Sequence, residues 1–281
     1  MIVPGPFTLG PFTLGPALLF CPADRPDRYR KAADRADAVI LDLEDAVDPG
    51  DRAAARSALV ADKLDPARTV VRVNPAGSPD FLPDLTAVRA AGYRIVMLPK
   101  AASRRDVHAV AAVDPRLEVV ALCETAAGVA EASSIAAAPN VTALMWGAED
   151  LVASLGGTSS RFSDGRYRGV ALYARSAVLI AAGVHGKAAI DTVHLDIEDT
   201  TGLAEEAADA VASGFSATAC IHPGQVETIR AAYRPSDDDV ARARALLAAA
   251  AEQPGVFRFA GQMVDAPVLR HAEAVVRRAL T

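Results

Sequence analysis

The sequence predicts an α/β fold, a (β/α)8 TIM barrel with a C-terminal helical extension, and three observations carry that prediction. Eight short apolar runs recur along the chain: Ala17–Phe20, Ala38–Leu43, Thr69–Val73, Arg94–Leu98, Glu118–Leu122, Thr142–Trp146, Ala188–Val193 and Ala217–Ile221. Each is apolar throughout rather than alternating, as suits a strand covered on both faces in a parallel sheet. An Ala-rich helical stretch separates each run from the next, and strands alternating with helices make parallel βαβ units. Eight such units in one chain favour a closed barrel over an open doubly wound sheet. No linker or shift in composition divides the units, so residues 17–235 read as one barrel.

The flanking segments follow from turn and helix signals. Pro-Phe-Thr-Leu-Gly occurs at residues 6–10 and again at 11–15. Such Pro/Gly punctuation excludes a helix, and residues 1–16 are expected to be a flexible tail. From Pro235 the pattern gives a helix over 237–251, a loop containing Gly255 and Gly261, and a last helix from about Pro267. Together these form an arm, residues 236–281.

Composition limits the function classes. The 281 residues carry 29 Lys+Arg against 35 Asp+Glu, a formal net charge of −6 with no basic run. That balance disfavours nucleic acid and anionic membrane surfaces as partners. Cys21, Cys123 and Cys220 are odd in number and far apart, which fits neither a disulfide framework nor a zinc cluster and points to a reducing, cytoplasmic setting. No apolar window approaches the roughly 18 residues of a membrane span, and no signal peptide is indicated.

A barrel builds its site from the loops at the C-terminal strand ends. Those ends carry Asp24, Arg25, Asp42, Glu44, Asp45, Arg72, Lys100, Glu124, Glu149, Asp150, Asp191, His194, Asp196 and His222. Acids outnumber bases there, and carboxylates gathered at one rim repel unless a cation joins them. Oxygen ligands suit Mg2+ or Mn2+. Helix capping is an equal reading for Asp24, Asp45 and Glu149, since Asp and Glu are favoured in first turns. Glu124 differs, because Thr125 is better placed as the cap, and Asp150 follows an unusual Trp-Gly-Ala turn. His108 and His271 fall within expected helices and His185 in a loop, while His194 and His222 lie near the rim as loop-ordering or catalytic groups. Of four lysines (Lys31, Lys63, Lys100, Lys187), only Lys100 ends a strand. It is a candidate Schiff-base nucleophile, although nearby acids raise a lysine pKa and favour a charge-partner role.

Several motifs resemble the citrate lyase beta subunit family. They are Leu18-Leu19-Phe20-Cys21-Pro22 through Lys31-Ala32-Ala33, Ile40-Leu41-Asp42-Leu43-Glu44-Asp45-Ala46-Val47, Val71-Arg72-Val73-Asn74-Pro75, Met97-Leu98-Pro99-Lys100, Glu124-Thr125, Gly147-Ala148-Glu149-Asp150-Leu151, Ala189-Ile190-Asp191 and Ile221-His222-Pro223-Gly224-Gln225. Gly261-Gln262-Met263-Val264-Asp265-Ala266-Pro267 looks like the end of stand-alone citrate-lyase-beta-like proteins and of their relatives, the malyl-CoA and citramalyl-CoA lyases. Cys21-Pro22-Ala23 departs from the family's more usual Val-Pro-Gly.

The resemblance implies a TIM barrel assembled as a homotrimer or hexamer with shared active sites. It implies Glu124 and Asp150 as Mg2+ ligands (Mn2+ substituting), Arg72 gripping a substrate carboxylate, and Phe20, Arg25 and Lys31 holding the CoA portion. Asp265 is implied to reach a neighbouring chain's site as acid/base. Substrate binding also falls to Gly147, Ala148 and Glu149, at the start of a helix, with Asp42 and Glu44 supporting the rim from behind. The expected activity is Mg2+-dependent carbon–carbon lysis of a carboxylate-bearing 3-hydroxyacyl-CoA of the malyl, citramalyl, citryl or hydroxymethylglutaryl type, giving acetyl-CoA or a homologue and a 2-oxo acid. Alternatives are an obligate beta subunit of a multi-subunit citrate lyase, and a Schiff-base aldolase using Lys100.

Overall fold

The computed structural model describes residues 12–253 and 255–280. Eight parallel strands close into a barrel in chain order. They are β1 (Ala17–Pro22), β2 (Ala38–Asp42), β3 (Thr69–Arg72), β4 (Ile95–Leu98), β5 (Glu118–Cys123), β6 (Val141–Trp146), β7 (Ala188–Asp191) and β8 (Ala217–Cys220). All eight coincide with the apolar runs. Helices fill the connections: α1 (Pro26–Arg35), α2 (Arg52–Ala61), α3 (Phe81–Ala91), α4 (Arg104–Val113), the short pair α5 (Ala126–Ala130) and α6 (Ala132–Ala136), α7 (Ala148–Ser154), α8 (Gly169–Val184), α9 (Thr200–Ser213) and α10 (Val226–Tyr233).

Alternate residues of each strand point inward and pack the barrel's interior. Leu18, Ile40, Val70, Met97, Val120, Leu122, Met145 and Ile190 form that cluster, with small Ala188, Ala217 and Ala219 making room on β7 and β8. Burying each of the larger ones contributes about 1.5–3 kcal/mol, which holds the strand ends at fixed positions for the site above.

Ordered structure begins before Ala17, unlike the expected tail. Residues 1–11 lie outside the described residues, but Leu14 is buried in the barrel core with Phe12 packed against it. The Pro16 carbonyl accepts the Thr218 amide at 2.8 Å. Gly15 has φ +75°, and a Cβ there would meet the Asp37 side chain, so the entry to β1 requires glycine.

Two compact units divide the chain, the first ending at Ile229 and the second beginning at Arg230. Within the second, α11 (Asp237–Glu252) and α12 (Ala266–Arg278) sandwich a small core of Ala243, Leu246, Val264 and Ala272. The segment read as a loop contains an antiparallel hairpin, β9 (Phe257–Phe259) paired with β10 (Gln262–Val264). Its two-residue turn, Ala260-Gly261, has positive φ at both positions, the backbone that lets a tight hairpin match strand twist.

Candidate active site

Strand register brings the first pair together. Asp42 ends β2 directly opposite Arg72 at the end of β3, and the guanidinium donates Nε and Nη2 to the two Asp42 oxygens at 2.7 and 2.6 Å. Its Nη1 lies 3.0 Å from Glu44 Oε2, and the whole group sits 5.0 Å over the Phe20 ring. Burial alone would depress the Arg72 pKa, but the Asp42 hydrogen bonds and the Asp42 and Glu44 charges leave it above the usual range. Burial likewise raises Glu44, against the opposing pull of Arg72 and Lys100.

Glu124 directly follows β5 and is 3% exposed. Its Oε1 accepts the Lys100 amide at 3.0 Å. Lys100 itself stands at φ +51°, a left-handed conformation costing about 1 kcal/mol for a side chain of this kind. Gly147 makes room on the other side, since a Cβ there would come within 2.8 Å of Glu124 Oε2. Burial, and then the Asp150 and Glu44 charges, push the Glu124 carboxyl up to about 8, with Lys100 offsetting only part. Near neutral pH this carboxyl therefore holds its proton unless another cation arrives.

Lys100 spans the same cluster through its side chain. Nζ is 2.5 Å from Glu44, 3.6 Å from Asp150 and 3.7 Å from Asp45. Burial opposes its charge, yet the Glu44 hydrogen bond and charge keep the ammonium above the ordinary lysine range. A nucleophilic role needs the neutral amine, so the geometry makes Lys100 a charge partner. Asp45 joins these ion pairs rather than capping a helix.

Asp150 stands in the first turn of α7 with its side chain 38% exposed. Gly147 is the N-cap of α7, preceding Ala148, and Glu149 turns its carboxylate to accept the Ser160 hydroxyl at 2.5 Å. Thr125 does cap α5, accepting the Gly128 amide at 3.1 Å. Among the described residues no group of three or more His, Cys, Asp or Glu side chains is arranged to hold a metal. Glu124 and Asp150 are the two carboxylates here that a cation could use, and its other ligands would have to come from outside the protein. Mg2+ fits that pattern, since it keeps several waters and commonly uses one or two carboxylates.

Most of the remaining expected residues have partners of their own. Arg25 pairs with Asp27 at 3.0 Å on an exposed surface, and Lys31 is exposed on α1. Asp265 belongs to the second unit, where it caps α12 by accepting the Val268 amide at 3.3 Å. His194 bonds Glu206 at 2.9 Å and His222 accepts the Gly224 amide at 3.1 Å, so both order their loops. All three cysteines are free and buried, and burial pushes Cys21 up to about 11 and Cys123 up to about 12. Three residues to which the sequence gives no role, Trp146, Ser160 and Arg175, adjoin the site's α7 turn or the strand end beside it. Their partners are 11 to 45 residues away in the chain, beyond any local pattern.

A family model described as HpcH/HpaI aldolase/citrate lyase matches residues 17–223, which covers the whole barrel. The chain belongs to that family. A second model, a C–C bond lyase of the TIM-barrel fold, matches residues 168–281. The chain is 55% identical to a citrate lyase subunit beta-like protein of Mycobacterium tuberculosis, covering 93% of this chain and 94% of that protein. It is 32% identical to an L-malyl-CoA/beta-methylmalyl-CoA lyase of Cereibacter sphaeroides, covering 93% of each. Among solved structures, the M. tuberculosis protein CitE in complex with magnesium, acetoacetate and coenzyme A superposes with a TM-score of 0.89 at 54% identity, covering 95% of this chain and 98% of that one. Among the described residues no helix is long and apolar enough to cross a membrane.

Proposed function

We propose that this chain is a Mg2+-dependent carbon–carbon lyase acting on a carboxylate-bearing 3-hydroxyacyl-CoA, giving acetyl-CoA or a homologue and a 2-oxo acid, with the reverse condensation open to the same site. The observation that carries this reading is the convergence of Glu44, Asp45 and Asp150 on the single ammonium of Lys100, beside a buried Glu124 whose carboxylate accepts, among the described residues, only the Lys100 backbone amide. Mg2+, or Mn2+ in its place, held by Glu124 and Asp150 with water and substrate oxygens, supplies Lewis-acid polarisation of the substrate. The relatives' magnesium, acetoacetate and coenzyme A complex and the malyl-CoA lyase activity in a second relative's name support the same assignment.

The protein's own groups supply the rest. Arg72 holds the substrate carboxylate with the N–H groups left outside its fork to Asp42, and the fork itself keeps the guanidinium from turning. The backbone of Gly147, Ala148 and Glu149 offers first-turn amides to the same carboxylate. Phe20, Arg25 and Lys31 hold the CoA portion. In cleavage the hydroxyl proton passes to water, its oxygen becomes the carbonyl of the 2-oxo acid as the carbon–carbon bond breaks, the bonding electron pair passes to the thioester's α-carbon, and Asp265 of a neighbouring chain gives that carbon a proton. In condensation Asp265 removes it. A homotrimer or hexamer is implied by that sharing, and the exposed Leu172, Tyr173, Ile180 and Val184 of α8 offer apolar surface for one. Buried free thiols fit a reducing, cytoplasmic setting.

The test is a panel of malyl-, citramalyl-, citryl- and hydroxymethylglutaryl-CoA, followed by release of the oxo acid with Mg2+ and with EDTA. Release with Mg2+ that EDTA abolishes is expected of the purified chain alone. EDTA-resistant turnover, or borohydride trapping of substrate on Lys100, contradicts the reading. Activity appearing only with added partner chains marks an obligate beta subunit instead.

A further inference from the structure

The turn carrying Asp150 is held at both ends by buried groups that the proposed chemistry does not use. Upstream, Trp146 is the last residue of β6, fully buried, and immediately precedes Gly147. Its indole N–H donates to Asp191 at 2.6 Å. Asp191 ends β7 and also accepts the Thr192 amide at 3.0 Å and the Arg175 Nε and Nη2 groups at 3.1 and 2.8 Å. Downstream, Ser160 is 1% exposed and gives its hydroxyl to Glu149.

These two anchors belong to one structure. Arg161, next to Ser160, stacks its guanidinium 3.7 Å over the Tyr167 ring, and that ring meets Trp146 edge-on with centroids 5.3 Å apart. The segment between α7 and α8 thus closes on the residue before the turn and on a residue within it. A buried ion pair such as Asp191–Arg175 contributes little net stability compared with apolar residues of the same volume. Its specific effect is to fix the orientation of Trp146, and with it the start of the turn. Gly147 has clearance against Glu124 only without a Cβ, so a shift of this turn displaces Glu124 together with Asp150.

We propose that Asp191, acting through Trp146, and Ser160, acting through Glu149, are positioning residues for the Glu124–Asp150 carboxylate pair. The proposal rests on the reading of those two carboxylates as cation ligands. Outer partners of this kind change metal affinity by about 10- to 100-fold when removed.

Mn2+ is the probe, its free concentration read by electron paramagnetic resonance in titrations of the metal-stripped full chain. Trp146→Phe keeps an aromatic ring against Tyr167 but deletes the N–H, and Ser160→Ala deletes only the hydroxyl. Each variant is expected to keep the wild-type far-ultraviolet circular dichroism, to bind Mn2+ about tenfold or more weakly, and to regain turnover as Mg2+ is raised. Because a bound ion also stabilises a weakened fold, the melting temperature is read without metal, where a merely structural defect shows a fall while Mn2+ affinity stays unchanged. Glu124→Gln serves as the control that removes a ligand. Mn2+ binding within about twofold of wild type in Ser160→Ala and in folded Trp146→Phe, with binding lost in Glu124→Gln, overturns the proposal while leaving the cation site standing. Unchanged binding in Glu124→Gln removes the cation site itself and the proposal with it. If Trp146→Phe does not fold, Ser160→Ala decides alone.

Discussion

Two charged clusters stand at the C-terminal end of the barrel, and they are built on opposite principles. Beside β7, Asp191 meets Arg175, Trp146 and a backbone amide, Glu206 meets Arg161 and His194, and Asp209 meets Arg175. Each of these acids has a cationic partner. Above β2 to β6, Asp42, Glu44, Asp45, Glu124 and Asp150 share Arg72 and Lys100. Glu124 receives only a backbone amide from that pairing. In the first cluster the charges are matched, and the pairs hold a shape. The second is short of positive charge, an imbalance that a bound divalent ion would offset.

Neutralising one charge should therefore act with opposite sign in the two clusters. Glu124→Gln is expected to have the largest effect on turnover, a fall of about 10^3-fold from several kcal/mol of lost charge stabilisation. The same change relieves crowding, so the metal-free variant should melt no lower than wild type at pH 8. Asp265→Asn should cut turnover by about 10^2-fold or more while leaving Mg2+ affinity near wild type. Near-normal turnover there sinks its acid/base assignment. In the matched cluster Arg175→Met strands Asp191 without a counter-charge, at a cost of about 3–5 kcal/mol. Calorimetry should show a fall in melting temperature on the order of 10 °C, whereas no fall means that the pair does not hold the fold. Arg72→Lys keeps the charge but loses the fork, and KM for the thioester should rise by roughly tenfold with a smaller change in kcat.

The smallest effect is on pH dependence. Folded Glu124 holds its proton up to about 8, against an ordinary 4.5 when unfolded. Folding takes up a proton between those values, so this group's contribution is most favourable below 4.5, declines as pH rises, and is flat above about 8. Mg2+ binding expels that proton. Melting temperatures with and without EDTA should diverge more at pH 8 than at pH 5, and Glu124→Gln should remove the divergence.

The barrel was legible because each strand is an unbroken apolar run, which only a doubly covered sheet explains. Asp42 and Arg72 were legible as strand-end residues, but their pairing depends on a parallel register that places them opposite each other. The hairpin at Phe257–Val264 escaped notice because its turn is Ala-Gly, without the Asn or Asp that marks a type I′ turn. Trp146, Ser160 and Arg175 escaped for a different reason. Trp146 and Asp191 lie 45 positions apart and meet only when β6 and β7 stand side by side in the closed barrel. Its place at a strand end makes Lys100 a candidate nucleophile in the sequence. Its left-handed backbone and its hold on Glu44 are tertiary facts that turn it into a tether for the acids around it.

The most direct measurement is calorimetric titration of the metal-stripped chain and of Glu124→Gln with Mg2+ at pH 8. A single site per chain in the wild type, lost in the variant, is the predicted result. Equal binding in both, or none in either, contradicts the assignment of Glu124 and Asp150 as the cation site.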